Sequence, residues 1–151
     1  MHTIKISLFA MAIILLMCLT AFAQQGDSQE KSTKIALTIE GSTYSAVLYD
    51  NAAAKDLIAK LPLTVSLNRG NRDYCGDISP LQYSREQVQK GYRNGELAYW
   101  IPGQDFVIFI EKEETGASVD GVVVLGAMTS DIQPLFSLGR SIQVRIAPAE
   151  Q

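Results

Sequence analysis

Residues 95–110, GELAYWIPGQDFVIFI, constrain the fold of this chain more than any other stretch. Two apolar segments flank Pro102-Gly103. Proline presets the first central position of a type II turn and glycine accepts the positive φ of the second. The spacing predicts a β-hairpin with Trp100 just before its turn. Residues 106–110, FVIFI, are unbroken apolar, the pattern of a strand covered on both faces.

The rest of the chain repeats that grammar in shorter phrases. Ile35, Leu37 and Ile39 alternate with Lys34, Thr38 and Glu40, which predicts a half-buried strand. Gly41-Ser42 suits a two-residue type II′ turn into a second strand, with Tyr44, Ala46 and Leu48 on one face. Asp50 stands where a helix N-cap belongs, ahead of Ala54, Leu57, Ile58 and Leu61 at helical spacing. Pro62 ends that helix. Leu63, Val65 and Leu67 then resume strand alternation, into a turn at residues 68–73, NRGNRD.

Residues 74–92 read either as a long loop or as a loop around one short helix, capped by Ser84 with Gln87 and closed by Gly91. After the hairpin, residues 113–121, EETGASVDG, have loop composition. Residues 122–126 read as a β-branched strand. Ser130 with Gln133 repeats the capping box before Leu135, Phe136 and Leu138, and Gly139 closes that turn. Ile142, Val144 and Ile146 form the inward face of a last strand. About eight short strands with one longer and one short helix predict a mainly β domain, a closed or nearly closed barrel, with a sandwich as the alternative.

The N-terminus has a different purpose. Lys5 precedes an uncharged apolar block at residues 6–20, and Ala21-Phe22-Ala23 places small residues where a signal peptidase reads. Residues 1–23 are therefore expected to be a secretory signal peptide. The block is short for a bilayer span of roughly 20 residues. Met17 before Cys18 is too large for a lipoprotein signal. Residues 24–33 are polar and aperiodic, a flexible linker to one domain at 34–148. The expected location is periplasmic or extracellular, with no membrane contact once the leader is cleaved.

Composition excludes several chemistries. The chain has 151 residues and a formal charge of -3, which argues against a nucleic-acid partner. The only histidine, His2, lies in the leader, so a mature chain has no imidazole for a triad or metal site. No Gly-x-Ser-x-Gly elbow, phosphate loop, Cys-x-x-Cys pair or metal-ligand cluster is present, and no cofactor is expected. Asp73 and Asp77 read as turn residues, and Glu111, Glu113 and Glu114 as a solvated strand end. Cys75, the one cysteine past the leader, reads either as a small partly buried hydrophobe or as a reactive or intermolecular thiol.

Three runs together resemble the bacterial cyclophilin-like domain family: residues 43–68, TYSAVLYDNAAAKDLIAKLPLTVSLN; the GELAYWIPGQDFVIFI hairpin; and residues 122–146, VVVLGAMTSDIQPLFSLGRSIQVRI. The resemblance implies an eight-stranded cyclophilin-type barrel with helices closing its ends. Cyclophilins proper are peptidyl-prolyl isomerases. That chemistry needs an apolar cup for the proline ring and a guanidinium donating toward the prolyl nitrogen, to favour the twisted amide over its resonance-stabilised form. The arginine-phenylalanine-methionine-glutamine groove pattern of those enzymes is not found here, so no catalytic residue carries over. Arg69, Arg72, Arg85 and Arg93 are candidates by residue type alone.

Aromatic side chains mark binding surfaces because they cover area at small entropic cost and keep a polar tip. Tyr74, Tyr83, Tyr92, Tyr99 and Trp100, with Arg72, are the candidate ligand-binding residues. Neighbouring strand residues face opposite ways, so one of Tyr99 and Trp100 points inward and the other outward. The expected function is an exported domain that binds a peptide or small ligand without catalysis. The alternative is a prolyl isomerase acting on exported proteins.

Overall fold

In a computed structural model describing residues 31–150, nine strands form one antiparallel sheet. The signal peptide read at 1–23 and most of the linker read at 24–33 lie outside the described residues. The strands are β1 (Thr33–Ile39), β2 (Ser42–Leu48), β3 (Leu63–Arg69), β4 (Asp73–Asp77), β5 (Val88–Gln89), β6 (Glu96–Trp100), β7 (Asp105–Phe109), β8 (Val122–Met128) and β9 (Ser141–Pro148). Their order is β2-β1-β9-β3-β4-β7-β6-β8, and β8 pairs back onto β2. The sheet thus closes into an eight-stranded barrel, with the two-residue β5 added to the edge of β8. Closure leaves few unpaired sheet edges.

The alternating residues read from the sequence do face inward. Ile35, Leu37, Ile39, Tyr44, Ala46, Leu48, Val65, Leu67, Ile142, Val144 and Ile146 all belong to the barrel core. Helix α1 (Ala52–Ala59) adds Ala53, Ala54 and Leu57 to it. A 3-10 turn at Gln133–Ser137 adds Leu135. Helix α1 precedes the start of β3, and the 3-10 turn precedes the start of β9. Because β3 and β9 are antiparallel, these two segments close opposite ends.

Several local expectations are corrected. The first hairpin turns on Glu40-Gly41, not Gly41-Ser42. Both turn residues have positive φ, 49° and 81°, the primed geometry that matches strand twist. In the central hairpin Gly103 does not take the positive φ of a type II turn. Gln104 does, at 54°, after a turn closed by its N–H to the Ile101 carbonyl at 3.2 Å. Glycine is required at 103 for room, since a Cβ there would stand 2.8 Å from the Trp100 ring.

The cap of α1 is Asn51, not Asp50, and the helix ends at Ala59, short of Leu61. The Asn51 carboxamide accepts from the Ala54 N–H at 2.9 Å and donates to the Val124 carbonyl at 3.0 Å, tying α1 to β8. A carboxylate has no proton for the second bond. Asp50 instead pairs with Lys55 at 2.7 Å.

Around Ser84 the short helix is a 3-10 turn, Arg85–Gln87, with the Ser84 N–H donating to Gln87 Oε1 at 3.1 Å. At the second site the expected capping serine is diverted, for Ser130 Oγ accepts from the Ser45 N–H at 2.7 Å. The N-cap position falls on Ile132, which has no side-chain cap bond, and Asp131 Oδ1 accepts from the Gln133 N–H at 3.0 Å. The segment read as a loop at 113–121 contains a 3-10 helix, Glu113–Ser118, packed through Gly116 onto Tyr92. Asp73 and Asp77 lie on β4 rather than in a turn. Glu111 is paired with Arg69 at 2.8 Å rather than solvated.

Candidate functional site

A second apolar cluster lies apart from the barrel core. It comprises Tyr92, Ala98, Val107, Phe109 and Val122, with Cys75, Trp100, Val119 and Val124 packed against it. The cause is strand parity. On β7, Phe106 and Ile108 enter the core while Val107 and Phe109 face outward. The two-faced burial read from FVIFI is therefore real, and the outer cover comes from Tyr92 and the segment around Val119.

That cover is incomplete. A groove of about 220 Å³ opens between Asn71, Arg72, Asp73, Cys75, Trp100, Val107, Phe109 and Val119. Register explains its shape. Cys75 is opposite Val107 and makes the floor with it, Asp73 is opposite Phe109 at one end, and Asp105 is opposite both Asp77 and Trp100 at the other. The volume is below the roughly 300–1,000 Å³ of drug-sized sites. It suits one ring or side chain rather than a whole cofactor.

The walls are held from behind. Tyr92 stacks on Phe109 with centroids 3.8 Å apart and planes 7° off parallel, so the two rings cover one another. The Tyr92 hydroxyl shares its one proton between the carbonyls of Glu111 and Lys112, each at 2.9 Å, and accepts from Arg72 Nη1 at 3.5 Å. The Arg72 guanidinium lies 5.8 Å from the Tyr92 ring centre. Trp100 Nε1 donates to the Asp120 carbonyl at 2.9 Å, which fixes the indole at the groove's far end.

Among the candidates named from sequence, Arg72 and Trp100 line this groove, and Tyr92 supports it from behind. Tyr74 and Tyr99 are inside the barrel, 0% and 3% exposed. Tyr74 is further tied by its hydroxyl to the Leu138 and Gly139 carbonyls. Tyr99 inward and Trp100 outward is the parity expected of neighbours on a strand. Tyr83 is exposed, with its ring centre 6.2 Å from that of Tyr99, and does not line the groove. Of the remaining arginines, Arg69 is tied up with Glu111 and packed between the Tyr74 and Phe136 rings, while Arg85 and Arg93 are exposed. Sequence reasoning missed Val107, Phe109, Val119 and Asp105. The unbroken FVIFI run was the available signal, since its outward members need a cover.

The electrostatics are uneven along the groove. Burial, then the neighbouring Asp73 and Asp105, push the Cys75 thiol up to about 12. Near neutral pH almost no thiolate forms, which favours the packed hydrophobe over a reactive or cross-linking thiol. Burial also raises Asp73 above its ordinary range, against the pull of Cys75, Arg69 and Arg72. Asp105 is raised by burial and then by the facing Asp77.

Comparisons agree with this architecture. The solution structure of a hypothetical protein from Archaeoglobus fulgidus superposes with a TM-score of 0.63 at 18% identity, over 82% of this chain and 99% of that one. At that identity the likeness is one of fold. No curated protein sequence matches the chain. The profile of the cyclophilin-like family matches residues 37–147, from the first strand of the barrel to its last. With that match and the closed barrel, the chain belongs to the cyclophilin-like family.

Proposed function

We propose that this domain acts outside the cytoplasm as a noncatalytic peptide-binding module, with the groove beside Arg72 as its site. One apolar side chain of the ligand, of about the size of a proline ring, sits between Trp100, Val107 and Phe109. Arg72 donates to a flanking carbonyl. The observation that carries this reading is a guanidinium beside an apolar cup, with Tyr92 behind both. The export half of the reading rests on the leader-like residues 1–23.

Trp100 is the only tryptophan in the chain, so its fluorescence reports directly on the groove. Titrating the full chain with short blocked peptides containing proline is expected to change that emission saturably. Arg72→Ala is expected to weaken binding by about ten- to a hundredfold, since a charged hydrogen bond contributes about 1.5–3 kcal/mol. Unchanged emission together with unmoved backbone resonances of β4 and β7 overturns the reading.

The same guanidinium favours a second reading, prolyl isomerisation, because a donor placed at the prolyl nitrogen stabilises the twisted amide. Acceleration of cis–trans exchange that Arg72→Ala abolishes would replace the noncatalytic reading. No acceleration at high protein concentration disposes of catalysis.

A further inference from the structure

The far end of the groove breaks a rule that the rest of the barrel obeys. Asp77 and Asp105 face each other directly across β4 and β7. Like charges opposite one another in an antiparallel pair are destabilising. Neither belongs to any ion pair found among the described residues. Trp100 is the next residue in the same row, opposite Asp105 across β6 and β7. The Asp105 carboxylate and the indole both crowd Gly103: a Cβ there would stand 2.6 Å from Asp105 Oδ2 and 2.8 Å from Trp100 Cε3. Two carboxyls and an anchored indole face thus sit side by side at the mouth of an apolar cup.

A cation answers each of these features at once. It relieves the repulsion between the carboxyls, and it is attracted to the indole face. A lysine or arginine side chain also lays its alkyl stem on apolar surface while its head reaches the acids. We infer that the groove selects peptides in which the residue held in the cup is flanked by lysine or arginine, the cation resting against Asp77, Asp105 and Trp100. This inference rests on the peptide-binding reading and adds the class of ligand to it. Arg72 sits at the other end of the groove, beside Asp73.

The test compares three blocked peptides that share a proline-containing core and differ at one flanking residue: lysine, norleucine or glutamate. Each is titrated into the full chain and read by Trp100 emission. The lysine peptide is expected to bind roughly tenfold more tightly than the norleucine peptide, and the advantage is expected to shrink with added salt. In Asp77→Asn/Asp105→Asn the ratio of the two affinities is expected to fall to about one, and in Asp77→Lys the glutamate peptide is expected to bind best. Equal affinities in the unaltered protein overturn the inference and leave the peptide-binding reading standing. Failure of all three peptides ends both. Emission changed by calcium or magnesium alone, with no lysine preference, reassigns the acids to a metal and also overturns the inference.

Discussion

Closure of the barrel rests on three residue pairs between β2 and β8, and Gly126 is one member. A Cβ built there stands 1.9 Å from the Val47 carbonyl oxygen, 2.8 Å from the Val47 carbonyl carbon and 2.9 Å from the Leu48 Cα. All three are backbone atoms, so no side chain can turn aside. Gly126→Ala must spread the seam by about 1.5 Å to restore an ordinary contact. Bonds flanking the seam, from the Tyr49 N–H to the Leu125 carbonyl and from the Thr129 N–H to the Ser45 carbonyl, are 2.8 Å long and cannot stretch that far. Loss of two such bonds at about 1 kcal/mol each, with overpacking of about 1–3 kcal/mol, gives a destabilisation of about 3–5 kcal/mol. At about 4 °C per kcal/mol for a domain of this size, Tm falls by about 12–20 °C. Gly41→Ala is the control. Gly41 has a φ of 81° but nothing within 4 Å of a built Cβ, so only its backbone conformation is penalised, by about 1 kcal/mol. Urea unfolding measures both, and amide exchange at Tyr49 and Thr129 reads the seam itself. If Gly126→Ala loses no more stability than Gly41→Ala, and both amides stay protected, the steric account of closure is wrong.

Two further outcomes follow from the charges around the groove. Cys75, at about 12 against an ordinary 9.0, is expected to react with iodoacetamide about a thousandfold more slowly than a free thiol at the same pH, and non-reducing gels are expected to show no disulfide dimer; rapid alkylation of the folded protein contradicts this. The Asp105 carboxyl, raised by burial and then Asp77, binds its proton more tightly folded than unfolded, so its contribution to stability is complete below about pH 3.8 and declines as pH rises through the folded value. Asp105→Asn is therefore expected to stabilise the protein at pH 7, by less than about 1 kcal/mol because solvent screens this half-exposed pair, and to make no difference at pH 3; a loss of stability at pH 7 refutes the reasoning.

The strands were legible in the sequence because burial on one face of a sheet imposes a period of two, which survives without knowledge of any partner. The core residues of β1, β2, β3 and β9 follow from it directly. Turns were less legible by one position each. Glu40-Gly41 and Gln104 take positive φ because strand twist, a property of the paired sheet, selects the turn. The Ser84–Gln87 capping box held, but two other caps failed for a related reason. Asp50 and Ser130 have the right chemistry for a helix start, but Asn51 has a second bond to make to Val124 and Ser130 is drawn to Ser45.

The groove depended still more on what lies far off in the chain. Arg72 and Trp100 could be named for their chemistry, yet their meeting across Cys75 and Val107 is a matter of β4–β7–β6 register. Tyr74 and Tyr99 carry the same chemistry and fall inside, because side-chain parity along a strand, and not residue type, chooses between core and surface. The sequence alone determined which segments alternate, which residues are greasy enough to fill a barrel, and which reactive groups are missing. Only the tertiary structure decided which outward face was left half covered, since that depends on how far the segment after β7 folds back over Val107 and Phe109.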